Sequence, residues 1–131
     1  MNLTKRFKDT VAVDNLNLTI ESGSLVALLG PSGCGKSTTL SMIAGILPVT
    51  EGKILFDGKD VTNRPPQDRN IGLVFQNYAF YPHMTVAENI CFPLIYKKIK
   101  KRERMERALE LAKLTRIESL MGRKPGQLSG G

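Results

Sequence analysis

The stretch Leu25-Val26-Ala27-Leu28-Leu29-Gly30-Pro31-Ser32-Gly33-Cys34-Gly35-Lys36-Ser37-Thr38 sets three elements in order: an unbroken apolar run, a glycine-rich loop, and a lysine followed by hydroxyl residues. Five apolar residues bounded by turn formers predict a strand buried on both faces, as in a parallel sheet. Lys36 to Ala44 predicts a helix with Leu40, Ile43 and Ala44 on one face and Gly45 as its stop. Strand, loop and helix in succession make the class α/β. Gly30 to Ser37 satisfies G-x-x-x-x-G-K-[ST] at every fixed position. The spacing has a physical reason. A nucleotide packs several negative charges into a small volume, and small residues let backbone N–H groups close around them. The following helix aims its N-terminus at the same charge. Lys36 brings an ammonium to the β- and γ-phosphates, and Ser37 offers a hydroxyl to Mg²⁺.

Upstream, Leu16, Leu18 and Ile20 alternate with polar residues and predict a half-buried strand that ends in the turn Glu21-Ser22-Gly23-Ser24. Downstream, Lys53 to Phe56 predicts a short strand closed by Asp57-Gly58. Pro65-Pro66 keeps 63–68 irregular. Ile71 to Phe75 predicts a further strand, and a loop from Gln76 to Met84 leads to a short helix, Val86 to Cys91, broken before Pro93. Lys101 to Leu114 predicts the clearest helix, with Met105, Ala108, Leu109 and Ala112 on one stripe. Lys124-Pro125-Gly126 ends regular structure.

With 131 residues, 41% of them hydrophobic and 24% charged, the chain suits one globular domain. No apolar stretch approaches the roughly 20 residues of a membrane span, and no apolar signal core follows the basic N-terminus. A cytoplasmic location is the expectation. Cys34 and Cys91 form no CxxC or Cys/His cluster, so zinc is not expected, and reduced thiols fit better than a disulfide framework. His83, the single histidine, has no acid or nucleophile placed beside it by sequence, and reads as a polar loop residue. The net charge is +7. Between Lys97 and Arg107 lie seven basic and two acidic residues, which read as a solvated helix face. Nucleic acid is not an expected partner.

The phosphate loop occurs in many protein classes and does not by itself assign a function. Two later features narrow it: Val74-Phe75-Gln76, followed by the segment Asn77 to Val86, and the terminal Leu128-Ser129-Gly130-Gly131. In this order the three motifs resemble the ATPase subunits of ABC transporters over essentially the whole chain. The loop resembles Walker A, Gln76 the Q-loop glutamine, and Leu128, Ser129, Gly130 and Gly131 the first four residues of the LSGGQ signature. Pro66-Gln67-Asp68-Arg69-Asn70-Ile71 and Tyr81-Pro82-His83-Met84-Thr85-Val86 look like the carbohydrate and glycerol-phosphate importers within that family, whose close relatives move ions and polyamines.

The resemblance implies a P-loop NTPase core with an N-terminal antiparallel β-subdomain (about 1–76) and the Q-loop with the start of a helical subdomain (about 77–131). It implies ATP and Mg²⁺ as cofactors. The nucleotide would be held by Phe7, stacked on adenine, and by Gly30, Pro31, Ser32, Gly33, Cys34, Gly35, Lys36, Ser37 and Thr38. Lys36 and Gln76 would act in catalysis, and Ser37 and Gln76 on the metal. The signature residues would act on the nucleotide of a second, identical subunit. Tyr78 to Met84 would face a transmembrane permease served by an extracellular or periplasmic solute-binding protein, placing the subunit on the inner face of the cell membrane. The family's Mg²⁺-binding Asp, water-polarising Glu and switch His lie beyond a signature, and the opening strand is short here. The expectation is therefore a truncated domain that binds nucleotide weakly and does not hydrolyse it alone. A soluble ABC ATPase without a transporter, and a non-enzymatic nucleotide-sensing or polyanion-binding module, are the competing readings.

Overall fold

A computed structural model describes residues 1–75 and 79–128, and the chain divides into two compact units, Met1–Leu73 and Val74–Gly131. In the first unit, β1 (Leu3–Phe7) and β2 (Thr10–Leu16) form an antiparallel hairpin in which Leu3 faces Leu16, Lys5 faces Val13 and Phe7 faces Thr10. The ladder slips twice, and Asn15, at φ 45°, donates its N–H to Thr4 Oγ1 at 3.0 Å where the strand bulges. On its other edge β1 meets Glu51, whose carbonyl accepts from Thr4 N at 2.9 Å. Helix α1 (Lys36–Ile43) follows the phosphate loop. The two-residue strands β3 (Leu55–Phe56) and β4 (Lys59–Asp60) pair across Asp57-Gly58. Both turn residues have positive φ, 48° and 75°, the type I′ geometry for which Asp-Gly is suited. Leu3, Val13, Met42, Ile54 and Val61 make the core, with Leu16, Leu47, Val49 and Phe56 packed on it.

Several expectations are corrected here. Leu25 to Leu29 is not a strand: Leu25 is 100% exposed and Leu29 90%. An inner parallel strand needs hydrogen-bonding neighbours and cover on both faces, and no described segment supplies a ladder to it. The same holds for 71–75, where no strand forms and Val74 lies exposed. Leu18 and Ile20 lie beyond the end of β2 and are exposed. Helix α1 buries Thr39 and Met42, with Ala44 just past its end, while Leu40 is exposed. The buried stripe is therefore turned from the predicted one toward Met42. Within 63–68 a single 3₁₀ turn, Pro66–Asp68, forms, as fixed proline φ allows.

The second unit holds α2 (Val86–Tyr96) and α3 (Lys101–Leu114). Helix α3 has the predicted bounds and buries Ala108 and Ala112, whereas Met105 and Leu109 stay partly exposed. Small residues at the contact let α2 approach, so the larger ones sit at its margin. Helix α2 runs through Pro93 instead of stopping before it. An interior proline costs about 3 kcal/mol, and capping at the start of α2, with packing at its middle, offsets it. Thr85 and Glu88 form a reciprocal capping box, and Val86 N and Ala87 N donate to Arg123 O (2.8 Å) and Met121 O (3.0 Å). At the middle of the helix, buried Cys91 packs against Met105 and the Arg104 carbonyl. One-turn 3₁₀ segments at Glu118–Leu120 and Pro125–Gln127 complete the unit. Among the described residues no helix is long and apolar enough to cross a membrane.

Candidate nucleotide-binding site

Gly30, Gly33 and Gly35 take φ of 152°, 81° and 90°. The last two lie in the left-handed region, where a side chain is strained. Gly35 has a second reason: a Cβ there would run into the Ala12 carbonyl and reach Val13 Cγ2 at 3.1 Å. The loop is thus seated directly on β2. Lys36 folds back across it and donates from Nζ to the carbonyls of Gly30 (2.8 Å) and Pro31 (2.7 Å), with Cys34 Sγ at 3.4 Å. The ammonium is therefore bound to the loop itself.

Gly35 is also the N-cap of α1 and has no side chain with which to accept from the first turn. The first bond of the helix is Thr39 N to Gly35 O at 2.8 Å. The N–H groups of Lys36, Ser37 and Thr38 precede it and point out of the helix end. Ser37 is exposed, with its hydroxyl on the same turn. Backbone donors, an ammonium and a hydroxyl from one short segment fit a polyphosphate with a hard cation such as Mg²⁺. Among the described residues no cluster of three His, Cys, Asp or Glu forms a separate metal site.

The far end of α1 is fixed by a residue that the sequence reading gave no role. Arg69 is 5% exposed, and burial pushes its pKa down. Its Nη1 donates to Met42 O and Ile43 O, both at 2.8 Å, its Nε to Arg64 O at 2.8 Å and its Nη2 to Thr62 O at 2.9 Å. A cation on the last carbonyls of a helix is favourable to its dipole. Gly45, at φ 77°, leaves room for it, since a Cβ there would meet Arg69 Nε at 2.6 Å. No local sequence signal marks such a clamp, because its partners are backbone carbonyls.

Phe7 ends β1 with its ring partly exposed, opposite Thr10 and two residues along β2 from the Ala12 that Gly35 abuts. Lys5 Nζ lies 5.1 Å from the ring centroid and donates to Pro48 O at 2.7 Å. One strand thus carries both the loop seat and the pairing partner of the candidate adenine platform. Gln76, Tyr78, Ser129, Gly130 and Gly131 lie outside the described residues. Leu128 is half-buried and donates its N–H to Pro125 O at 3.1 Å.

Asn89 of α2 makes several bonds to the segment 79–85. Asn89 accepts from Tyr81 N at 2.9 Å and donates to the carbonyls of Tyr81, Met84 and Thr85. Tyr81 stacks on Phe92 with centroids 4.3 Å apart, and the ring of His83 meets it edge-on at 6.3 Å. Hydrogen bonds from Thr85 hold the Glu88 carboxyl below its usual pKa. The Thr85-x-x-Glu88 signal was present in the sequence, and it accounts for where α2 starts.

A phosphate loop on an α/β unit, followed by a helical unit that ends at the signature, defines an ATP-binding cassette. The family model described as "ABC transporter" matches residues 13–131, and the chain belongs to that family. It is 51% identical over 130 residues to the Fe(3+) ions import ATP-binding protein FbpC of Brucella abortus, covering 99% of this chain and 37% of that protein. It is 50% identical over 120 residues to the trehalose import ATP-binding protein SugC of Mycobacterium tuberculosis, covering 92% of this chain and 30% of that protein. Among solved structures, the dimeric post-hydrolysis ATP-binding cassette MJ0796 with ADP and Pi superposes with a TM-score of 0.84 at 38% identity, over 98% of this chain and 62% of that one. The chain therefore spans little more than a third of the length of the first of these relatives.

Proposed function

We propose that this chain is the nucleotide-binding front of an ATPase subunit that drives solute import through a membrane permease. The family match over residues 13–131 supports the subunit reading, and the Lys36 ammonium, bonded to the Gly30 and Pro31 carbonyls beside the outward N–H groups of α1, supports nucleotide binding. On binding, the β- and γ-phosphates take over the ammonium from the Gly30 and Pro31 carbonyls, and charge on the phosphates is stabilised without moving the helix. Ser37 and Gln76 would hold Mg²⁺, which would supply positive charge against the phosphates. Hydrolysis is attack of water at the γ-phosphorus with cleavage of the bond to the β–γ bridging oxygen. Orienting that water calls for a carboxylate and a histidine that the family resemblance places after the signature. The 131 residues alone therefore bind nucleotide and leave it intact. Ser129 and Gly130 serve the nucleotide of a second, identical subunit. The loop that Asn89 fixes, with exposed Phe80 and Tyr81, meets a permease on the inner face of the membrane.

For the solute we favour a sugar-type substrate, supported by Pro66 to Ile71 and Tyr81 to Val86, with a solute-binding protein delivering it outside the membrane. The relatives are named for trehalose and for ferric ions, so uptake separates the possibilities. Cells that lack the full-length protein should lose accumulation of a labelled sugar and keep that of ferric ion. The reverse pattern sinks the sugar assignment while leaving the importer reading intact.

A further inference from the structure

We propose that Lys5 is a positioning residue for the candidate adenine platform: its ammonium holds the Phe7 ring from one side, so that the other side is offered to a purine base. The inference rests on the reading that Phe7 stacks on adenine, and it assigns the stacking to a pair of residues. Lys5 and Phe7 stand two positions apart on β1, the spacing that places side chains on one face of a strand. The Lys5 ammonium lies over the Phe7 ring, 5.1 Å from its centroid, inside the roughly 6 Å reach of a cation–π contact. Arg6, between them, is paired with Glu51 at 3.3 Å.

A lysine at this place runs against simple packing. Lys5 is 8% exposed, and a charge taken out of water is destabilising unless it is paired. Among the described residues no carboxylate comes within ion-pair distance of it. The Pro48 carbonyl accepts from its Nζ at 2.7 Å, and the ring of Phe7 is the other partner. An apolar side chain would fill the same space with no charge to satisfy. A local rule broken in this way is expected where function is the reason.

The ammonium acts on Phe7 in two ways. Pro48 fixes the ammonium, and the ammonium fixes the plane of a ring that is 45% exposed and otherwise free to turn. A platform held in place before the base arrives loses less freedom on binding. The other effect is electronic. Aromatic faces are negative, and two of them stacked squarely repel. A cation over one face draws that charge toward itself, so the opposite face meets the π-system of a base with less repulsion.

The test is a pair of affinities, for ATP and for inorganic tripolyphosphate, each titrated with Mg²⁺ into the 131-residue chain. Both anions use the phosphate loop and only ATP has a base, so the ratio of the two reads the platform. Phe7→Leu should lower the ratio about ten-fold, within the range for loss of one stacked base. Lys5→Met, of similar length and suited to a buried position, should lower it about five-fold. Lys5→Gln can still donate to the Pro48 carbonyl and lacks the charge, and it should lower the ratio as far. In a Phe7→Leu background neither Lys5 substitution should change it further. A lysine that served only to tie β1 to Pro48 would shift both affinities together and leave the ratio alone. A ratio lowered by Phe7→Leu and unmoved by Lys5→Gln overturns the proposal and leaves the platform standing. A ratio unmoved by Phe7→Leu overturns both.

Discussion

Lys36→Ala is expected to weaken ATP binding by about 2 kcal/mol or more, roughly thirty-fold, the low end of what removing one member of a desolvated charge pair costs. The low end applies because Lys36 is half-buried and water screens part of its field. The variant should keep its fold. The bonds that Lys36 makes to the Gly30 and Pro31 carbonyls lie at the surface, and water replaces them. Titration of a fluorescent ATP analogue, with a thermal melt alongside, separates the two effects. An unchanged affinity would remove the lysine from the site. A lost melt would make it structural.

Arg69→Met should be the most damaging single substitution outside the loop. It strips the carbonyls of Met42, Ile43, Thr62 and Arg64 of a shared donor in a nearly sealed position. Each buried carbonyl left unsatisfied costs about 1–3 kcal/mol, a large share of a typical domain stability of about 5–15 kcal/mol. Arg69→Lys should rescue little, since a single ammonium cannot follow the planar fork of a guanidinium to four acceptors. The check is the midpoint of urea unfolding. A shift worth less than about 1 kcal/mol for Arg69→Met would show that the carbonyls find other donors. The effect also reaches the site: Arg69 anchors the C-terminus of α1, whose N-terminus carries Lys36 and Ser37.

The phosphate loop was legible because its chemistry is local: the glycines, the lysine and the hydroxyl must fall at fixed spacing for one anion. The type I′ turn at Asp57-Gly58 and helix α3 were legible for the same kind of reason, since turn chemistry and a 3.6-residue period need no distant partner. The apolar runs 25–29 and 71–75 state only that burial is wanted. A strand exists when a neighbour supplies its ladder, and composition does not name that neighbour. Pro93 misled because its local cost is set against capping at Thr85, at the start of α2, and packing at Cys91, at its middle. Arg69 could not be read at all, since its partners are carbonyls up to 27 positions away.

The most direct test is calorimetric titration of the 131-residue chain with ATP and Mg²⁺, before and after alkylation of its thiols. Cys34 is exposed beside the Lys36 ammonium, whereas Cys91 is buried and its thiol is pushed toward the neutral form by that burial, so modification falls on Cys34. The account predicts saturable binding, displaced by ADP and abolished once a group on Cys34 fills the loop mouth. No saturable binding, or binding indifferent to a modified Cys34, would contradict it.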